Sequence, residues 1–105
     1  MLKRWSVLTL LSLSLSAVAE PSPRQMVLFN NNCVQCHLRP GVGAPLAGNA
    51  KDWQARKAQG EDQMLRHVVE GLKGMPPLGY CSACREDDFR ALIRFMAGMP
   101  EGAGK

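Results

Sequence analysis

Cys33-Val34-Gln35-Cys36-His37 is the stretch that decides how the rest of the chain is read. Its Cys-x-x-Cys-His spacing is the attachment signature of a covalently bound c-type haem. On a helical turn, residues three apart face the same way, so Cys33 and Cys36 present two thiols together. Thiols so placed suit thioether bonds to the two vinyl groups on one edge of a porphyrin. His37 follows directly and brings an imidazole toward the iron as an axial ligand. The Cys-x-x-Cys part alone also suits a zinc site or a redox disulfide, so the surrounding sequence has to discriminate.

The N-terminus speaks to compartment. Lys3 and Arg4 give a positive start, residues 7–15 are apolar apart from Thr and Ser, and Ala17-Val18-Ala19 is a small-x-small cleavage signal. The apolar run is short for a bilayer span, and Glu20, Pro21 and Pro23 interrupt its far side. The expectation is a cleaved secretory signal over residues 1–19 and a single exported, periplasmic domain over residues 20–105. Losing Lys3 and Arg4 while all nine acidic residues stay lowers the formal charge from +4 to about +2. The remaining basic residues are scattered, which excludes a nucleic-acid footprint. A domain of about 86 residues buries a limited core, and a cofactor or a disulfide would supply part of what is missing.

The pattern of apolar residues and breakers predicts an all-α fold of about four helices. Ser22-Pro23 reads as the N-cap and first-turn proline of a helix running toward Cys33. Two glycines and two prolines in Leu38-Arg39-Pro40-Gly41-Val42-Gly43-Ala44-Pro45 exclude regular helix there. Asn49 caps a short helix carrying Trp53 and Arg56 and stopping before Gly60. Glu61 and Asp62 open a third helix at its electrically positive end, with Leu65, Val68, Val69 and Leu72 on one face and Gly71 and Gly74 at its end. Met75-Pro76-Pro77-Leu78-Gly79-Tyr80 is a stiff loop. The last helix starts around Glu86-Asp87-Asp88, buries Phe89, Leu92, Ile93 and Met96, and stops at Gly98 and Pro100, leaving a frayed tail over residues 101–105.

A six-coordinate iron needs a second axial ligand. His67 falls about 140° from the centre of its helix's apolar face and is expected to point to water. Met26, Met64 and Met96 belong to helical apolar faces, where methionine is usually core. Met75 and Met99 both follow glycine and precede proline, but Met99 lies beside the tail. Met75, in a rigid loop between two helices, is the expected ligand. A neutral thioether opposite an imidazole favours Fe(II) and raises the potential. With both axial positions filled, the site has no room for a small-molecule substrate.

Cys81-Ser82-Ala83-Cys84 is followed by Arg85 and lacks a second ligating His. In an exported chain, two cysteines at this spacing can close into a small disulfide. A thioredoxin-like role requires a βαβ setting that the pattern lacks, and a four-cysteine zinc site would leave His37 idle.

Together these residues resemble the class I monohaem cytochromes c, and within them the cytochrome c5 group. The resemblance rests on Cys33-x-x-Cys36-His37, Gly43-Ala44-Pro45, Trp53 with Arg56 and Gly60, Gly74-Met75-Pro76-Pro77, Gly79, Cys81-x-x-Cys84 and Arg94-Phe95-Met96. It implies a helical fold wrapped around one covalently bound haem c and its iron, and an activity of single-electron transfer rather than enzymic catalysis. It further implies that the Pro45 carbonyl accepts from His37, and that Trp53 and Arg56 sit near the haem propionates. Arg85 departs from the Ser or Asp cap usual in that group. The expected partners are transient redox proteins, with a membrane-bound oxidase or reductase as a candidate. Scattered rather than clustered charge suggests a small apolar docking patch, for which Val42, Ala44, Leu46 and Leu78 are candidates by position. The competing readings are a haem protein with an open sixth site, acting as a peroxidase or gas sensor, and a haem-free thiol or zinc module.

Overall fold

The computed structural model describes residues 2–3, 7–13, 18 and 20–101. Arg4, Ala17 and Ala19 of the expected signal, and the tail over residues 102–105, lie outside the described residues. Among the described residues no helix is long and apolar enough to cross a membrane.

Helix α1 (Pro23–Leu28) begins with a reciprocal cap. The Ser22 hydroxyl accepts from the Gln25 N–H at 3.1 Å, and the Gln25 side-chain oxygen accepts from the Ser22 N–H at 2.9 Å. The chain does not break after Leu28. It widens into a π-helical stretch over Phe29–Cys33 and tightens again into α2 (Val34–His37). The motif therefore rides on one interrupted helix, which with α3 to α5 makes four helical segments.

Helix α3 (Ala50–Ala58) is capped by Asn49, whose side chain accepts from the Asp52 N–H at 3.2 Å. Helix α4 (Glu61–Glu70) runs between Gly60 and Gly71, both in the positive-φ region at 90° and 85°. A 3₁₀ turn (Pro77–Tyr80) follows the prolines. Helix α5 (Glu86–Ala97) ends at Gly98, which is left-handed. Its start lacks a capping side chain at Arg85. The Asp88 carboxylate, in the first turn, instead secures the cap residue itself, accepting from the Arg85 N–H at 3.0 Å.

One apolar core, built from Phe29, Trp53, Met64, Leu92, Ile93, Met96, Ala97 and Met99, holds these segments together. Phe29 meets Phe95 edge to face, with centroids 5.4 Å apart. Met99, expected beside a loose tail, is a core residue.

Helix α4 departs from its expected face. Leu65 and Val68 pack on the core, but Val69 and Leu72 are each 43% exposed, and Met64 is the buried residue. Val69 lies five residues past Met64, about 140° round the helix, and Gly71 turns the chain before Leu72. Glu61, in the first turn of α4 as expected, is fully buried. Its carboxylate accepts from Arg90 at 2.8 Å and from Arg94 through both oxygens, one contact measuring 2.9 Å. Burial pushes this carboxyl up, but the hydrogen bonds and positive charge of Arg94 and Arg90 prevail and hold it below the usual glutamate range. The pairing locks the start of α4 to the middle of α5.

Candidate functional site

A cavity of about 630 Å³ lies between the first helix, the Pro45 loop, α4, the Met75 loop and α5. Cys33, Cys36 and His37 line it from one element, and Met75 lines it from another far along the chain. Met64, Val68, Phe89, Leu92, Ile93 and Met96 supply apolar walls. A volume of this order with few polar groups suits a large, flat, mostly apolar cofactor.

His37 is buried, and its Nδ1 lies 2.8 Å from the Pro45 carbonyl. A carbonyl only accepts, so the proton sits on Nδ1 and Nε2 keeps its lone pair. That is the tautomer a metal ligand requires, fixed by its second nitrogen. The backbone helps, because the Ala47 N–H donates to the His37 carbonyl at 2.7 Å and ties the loop to the end of α2.

Trp53 stacks on His37 with ring centroids 5.8 Å apart and planes inclined by 26°. Its indole N–H, which the resemblance offers to a propionate, donates here to the Leu46 carbonyl at 2.7 Å. Arg56 lines the cavity mouth and gives one donor to the Asp52 carbonyl at 2.6 Å. Asp52 in turn accepts from the Leu46 N–H at 3.0 Å, so α3 and the Pro45 loop are stitched together twice.

Cys33 and Cys36 stand as separate thiols, Cys33 half-buried and Cys36 exposed. Burial pushes the Cys33 thiol up to about 11. Cys81 and Cys84 are joined by a disulfide, with Cα atoms 5.4 Å apart.

Met75 sits in a tight turn. The Leu72 N–H donates to the Met75 carbonyl at 3.0 Å and the Met75 N–H returns to Leu72 at 2.9 Å. Gly71 packs so closely that a Cβ there would lie 3.0 Å from the Met75 carbonyl oxygen. The thioether is therefore carried on a restrained backbone.

Two features of the cavity were not legible in the sequence. His67 is half-buried and lines the cavity, with Nε2 2.9 Å from the Gln63 amide nitrogen, rather than pointing to water. The charged side chains in the lining, apart from histidine, are Arg56 and Lys73, and no Asp or Glu is among them. A lining of this charge suits a group that carries carboxylates, as haem does through its propionates. Residue chemistry and cavity volume therefore both fit a haem. Val42, Ala44 and Leu78 also lie on this cavity, whereas Leu46 lies on a smaller neighbouring hollow of about 370 Å³.

Comparison with known proteins agrees. Residues 24–96 match the family model described as cytochrome C oxidase, cbb3-type, subunit III. Cytochrome c5 of Ectopseudomonas mendocina is 34% identical over 74 residues, spanning 69% of this chain and 85% of that protein. Cytochrome c5 of Azotobacter vinelandii is 35% identical over 69 residues, spanning 64% and 83%. Among solved structures, a chain of the electron transfer complex of nitrite reductase with cytochrome c superposes with a TM-score of 0.66 at 33% identity, covering 75% of this chain and 96% of that one. The mono-heme ferrocytochrome c from Shewanella putrefaciens gives 0.63 at 36% identity, covering 77% and 94%.

Proposed function

The chain belongs to the cytochrome c family, among the small monohaem proteins related to cytochrome c5, and from that premise we propose that it is an exported one-electron carrier with a closed His/Met iron centre. The observation carrying this reading is the single cavity on which Cys33, Cys36, His37 and Met75 converge. When bound, haem c supplies a one-electron iron couple, and a thioether opposite an imidazole raises its potential.

Each residue has a distinct task. Cys33 and Cys36 would anchor the porphyrin as thioethers. His37 would hold the iron through Nε2 while the Pro45 carbonyl fixes its tautomer. Met75 would supply the second iron donor through its thioether. Trp53 stacks on the His37 ring, and Arg56 would offer positive charge to the propionates. The Cys81–Cys84 disulfide joins the Met75 loop to α5. With His37 and Met75 both holding the iron, no place would be left for a substrate, and the role we propose is carriage and not catalysis.

Redox proteins are the partners, and the structural relative solved in an electron transfer complex with nitrite reductase supports that class. A membrane-bound oxidase or reductase fits equally as donor or acceptor. The signal over residues 1–19 supports a periplasmic location.

Two spectra test the proposal. The pyridine haemochrome of the denatured protein should report one haem with two thioether links. The oxidised native protein should show the weak near-infrared Met-sulfur-to-iron charge-transfer band, and Met75→Ala should abolish it. A high-spin native spectrum without that band would favour the open-site reading.

A further inference from the structure

Leu78, Gly79 and Tyr80, between Met75 and the disulfide, have φ of 62°, 54° and 64°. Glycine enters this region freely, but a Cβ there crowds the following carbonyl, so Leu78 and Tyr80 hold a conformation a free chain would leave. Such a turn persists only where its surroundings over-determine it. Leu78 and Tyr80 both line the cavity beside Met75, so this turn forms part of the wall that carries the ligand.

The restraints lie at both ends of the turn. Before it stand Pro76 and Pro77, and the Gly79 N–H donates to the Pro76 carbonyl at 3.0 Å. Gly79 also lies against the Met75 methyl, which a Cβ at Gly79 would meet at 3.4 Å. After it, the Cys81 N–H donates to Leu78 at 2.9 Å, and Cys81 is 1% exposed. Cys84 leads into a corner fixed by the buried Asp88 carboxylate, which holds the Arg85 N–H at 3.0 Å, Arg24 at 2.8 Å and Gln25 at 3.2 Å. The disulfide is the covalent tie between the end of the left-handed turn and this corner. Enclosing only two residues, it removes little entropy from the unfolded chain, so its effect is local.

Resting on the Met75 ligand assignment, we propose that the Cys81–Cys84 disulfide is a thiol–disulfide exchange site for a dithiol protein, and that its reduction releases Met75 by letting the Leu78–Tyr80 turn relax. Cys84, half-buried, is the sulfur open to attack, while Cys81 is shielded. A partner thiolate bonds to Cys84 Sγ, the Cys81–Cys84 bond breaks, and Cys81 leaves as a thiolate that takes up a proton. The partner's second thiol gives up its proton and attacks the partner sulfur of the mixed disulfide, releasing Cys84, which is then protonated. The partner departs as a disulfide having lost two electrons, and this chain keeps two thiols having gained them. One molecule then joins a two-electron thiol couple to a one-electron carrier.

The test uses the folded holoprotein, with dithiothreitol as the dithiol probe. After reduction, the new thiols are capped with iodoacetamide and counted, and the haem is reoxidised with ferricyanide. The near-infrared band should fall at least several-fold and the haem midpoint potential should drop, with far-UV circular dichroism retained. A Cys81→Ser/Cys84→Ser double variant should behave alike. In Leu78→Gly/Tyr80→Gly protein the turn carries no strain, so the band should survive reduction. An unchanged band with two thiols capped, a disulfide the probe cannot reduce in the folded protein, or equal loss in the glycine variant would each overturn the latch. Absence of the band before any reduction would instead remove the Met75 assignment, and the latch with it.

Discussion

The rings of His37 and Trp53 stack at 5.8 Å, and the two side chains are held by adjacent carbonyls of one loop, Pro45 for His37 and Leu46 for Trp53. The orientation of the His37 imidazole thus depends on a loop that a neighbouring indole keeps in place. Replacing Trp53 with Phe preserves an aromatic ring but leaves the Leu46 carbonyl without its donor. We expect a loss of about 1–3 kcal/mol in denaturant unfolding, the cost of an unmet acceptor in a partly buried setting. An unchanged midpoint would mean that the indole hydrogen bond contributes nothing to holding the loop.

Gly71 and Gly60 offer a paired comparison at the two ends of α4. Both have positive φ, but a Cβ at Gly60 meets nothing within 4 Å, whereas at Gly71 it meets the Met75 carbonyl oxygen and the Pro77 nitrogen, each at 3.0 Å. Gly60→Ala should cost about 1 kcal/mol from backbone strain alone. Gly71→Ala should cost about 2–3 kcal/mol because strain and collision add, and only this variant should weaken the Met–iron band. Equal effects on the band would show that the close approach at Gly71 does not position Met75.

The buried Glu61 carboxylate answers to two arginines of α5. Removing one leaves a buried charge short of partners, which is far more costly than losing a surface pair. We expect Arg94→Leu to lower stability by about 3 kcal/mol in urea unfolding, while Arg85→Leu, whose side chain is exposed and 3.7 Å from an exposed Asp87, should change it by well under 1 kcal/mol.

Acid sensitivity follows from the same carboxylates. Asp88 is held below the usual aspartate range chiefly by the Arg85 N–H, against the opposing effect of burial, with further help from Arg24 and Gln25. Glu61 is also depressed. As pH falls, the unfolded chain takes up these protons first, so the stabilisation is complete above about pH 4.5 and is lost as pH drops through the lower folded-state values. Thermal melts from pH 7 to pH 3 should show stability falling below about pH 4.5, more steeply than in a Glu61→Gln/Asp88→Asn variant. A variant with the same slope would sink this assignment.

What the sequence revealed and what it hid divide along a physical line. Signals that act within one turn were legible: Ser22-Pro23 as the cap and first turn of α1, Asn49 before α3, and Gly60, Gly71 and Gly98 at helix ends. The apolar face of α5 was legible because one stripe meets one core. Helix α4 was read less well because it has two neighbours, the core that Leu65 meets and the cavity that His67 lines, with Met64 and Val68 touching both, so a single-stripe pattern misplaces Val69 and Leu72. The Glu61 pairs with Arg90 and Arg94 span 29 and 33 residues and leave no local trace. Glu61 looked like a helix-start acid because in sequence it is one.

The π-helical stretch ahead of the motif has a consequence for how this helix tolerates change. Phe29 faces the core while His37 faces the cavity, and the N–H of Val34 reaches back five residues to the Phe29 carbonyl instead of four. A wide turn of this kind behaves as one residue inserted into an ordinary helix. Deleting one of Asn30, Asn31 or Asn32 would therefore not shorten the helix ends. It would restore a regular ladder and swing the core-facing and cavity-facing halves by about a quarter turn relative to one another, since each helical residue advances about 100°. The three asparagines act as a phase adjuster between two surfaces that a uniform helix cannot serve at once.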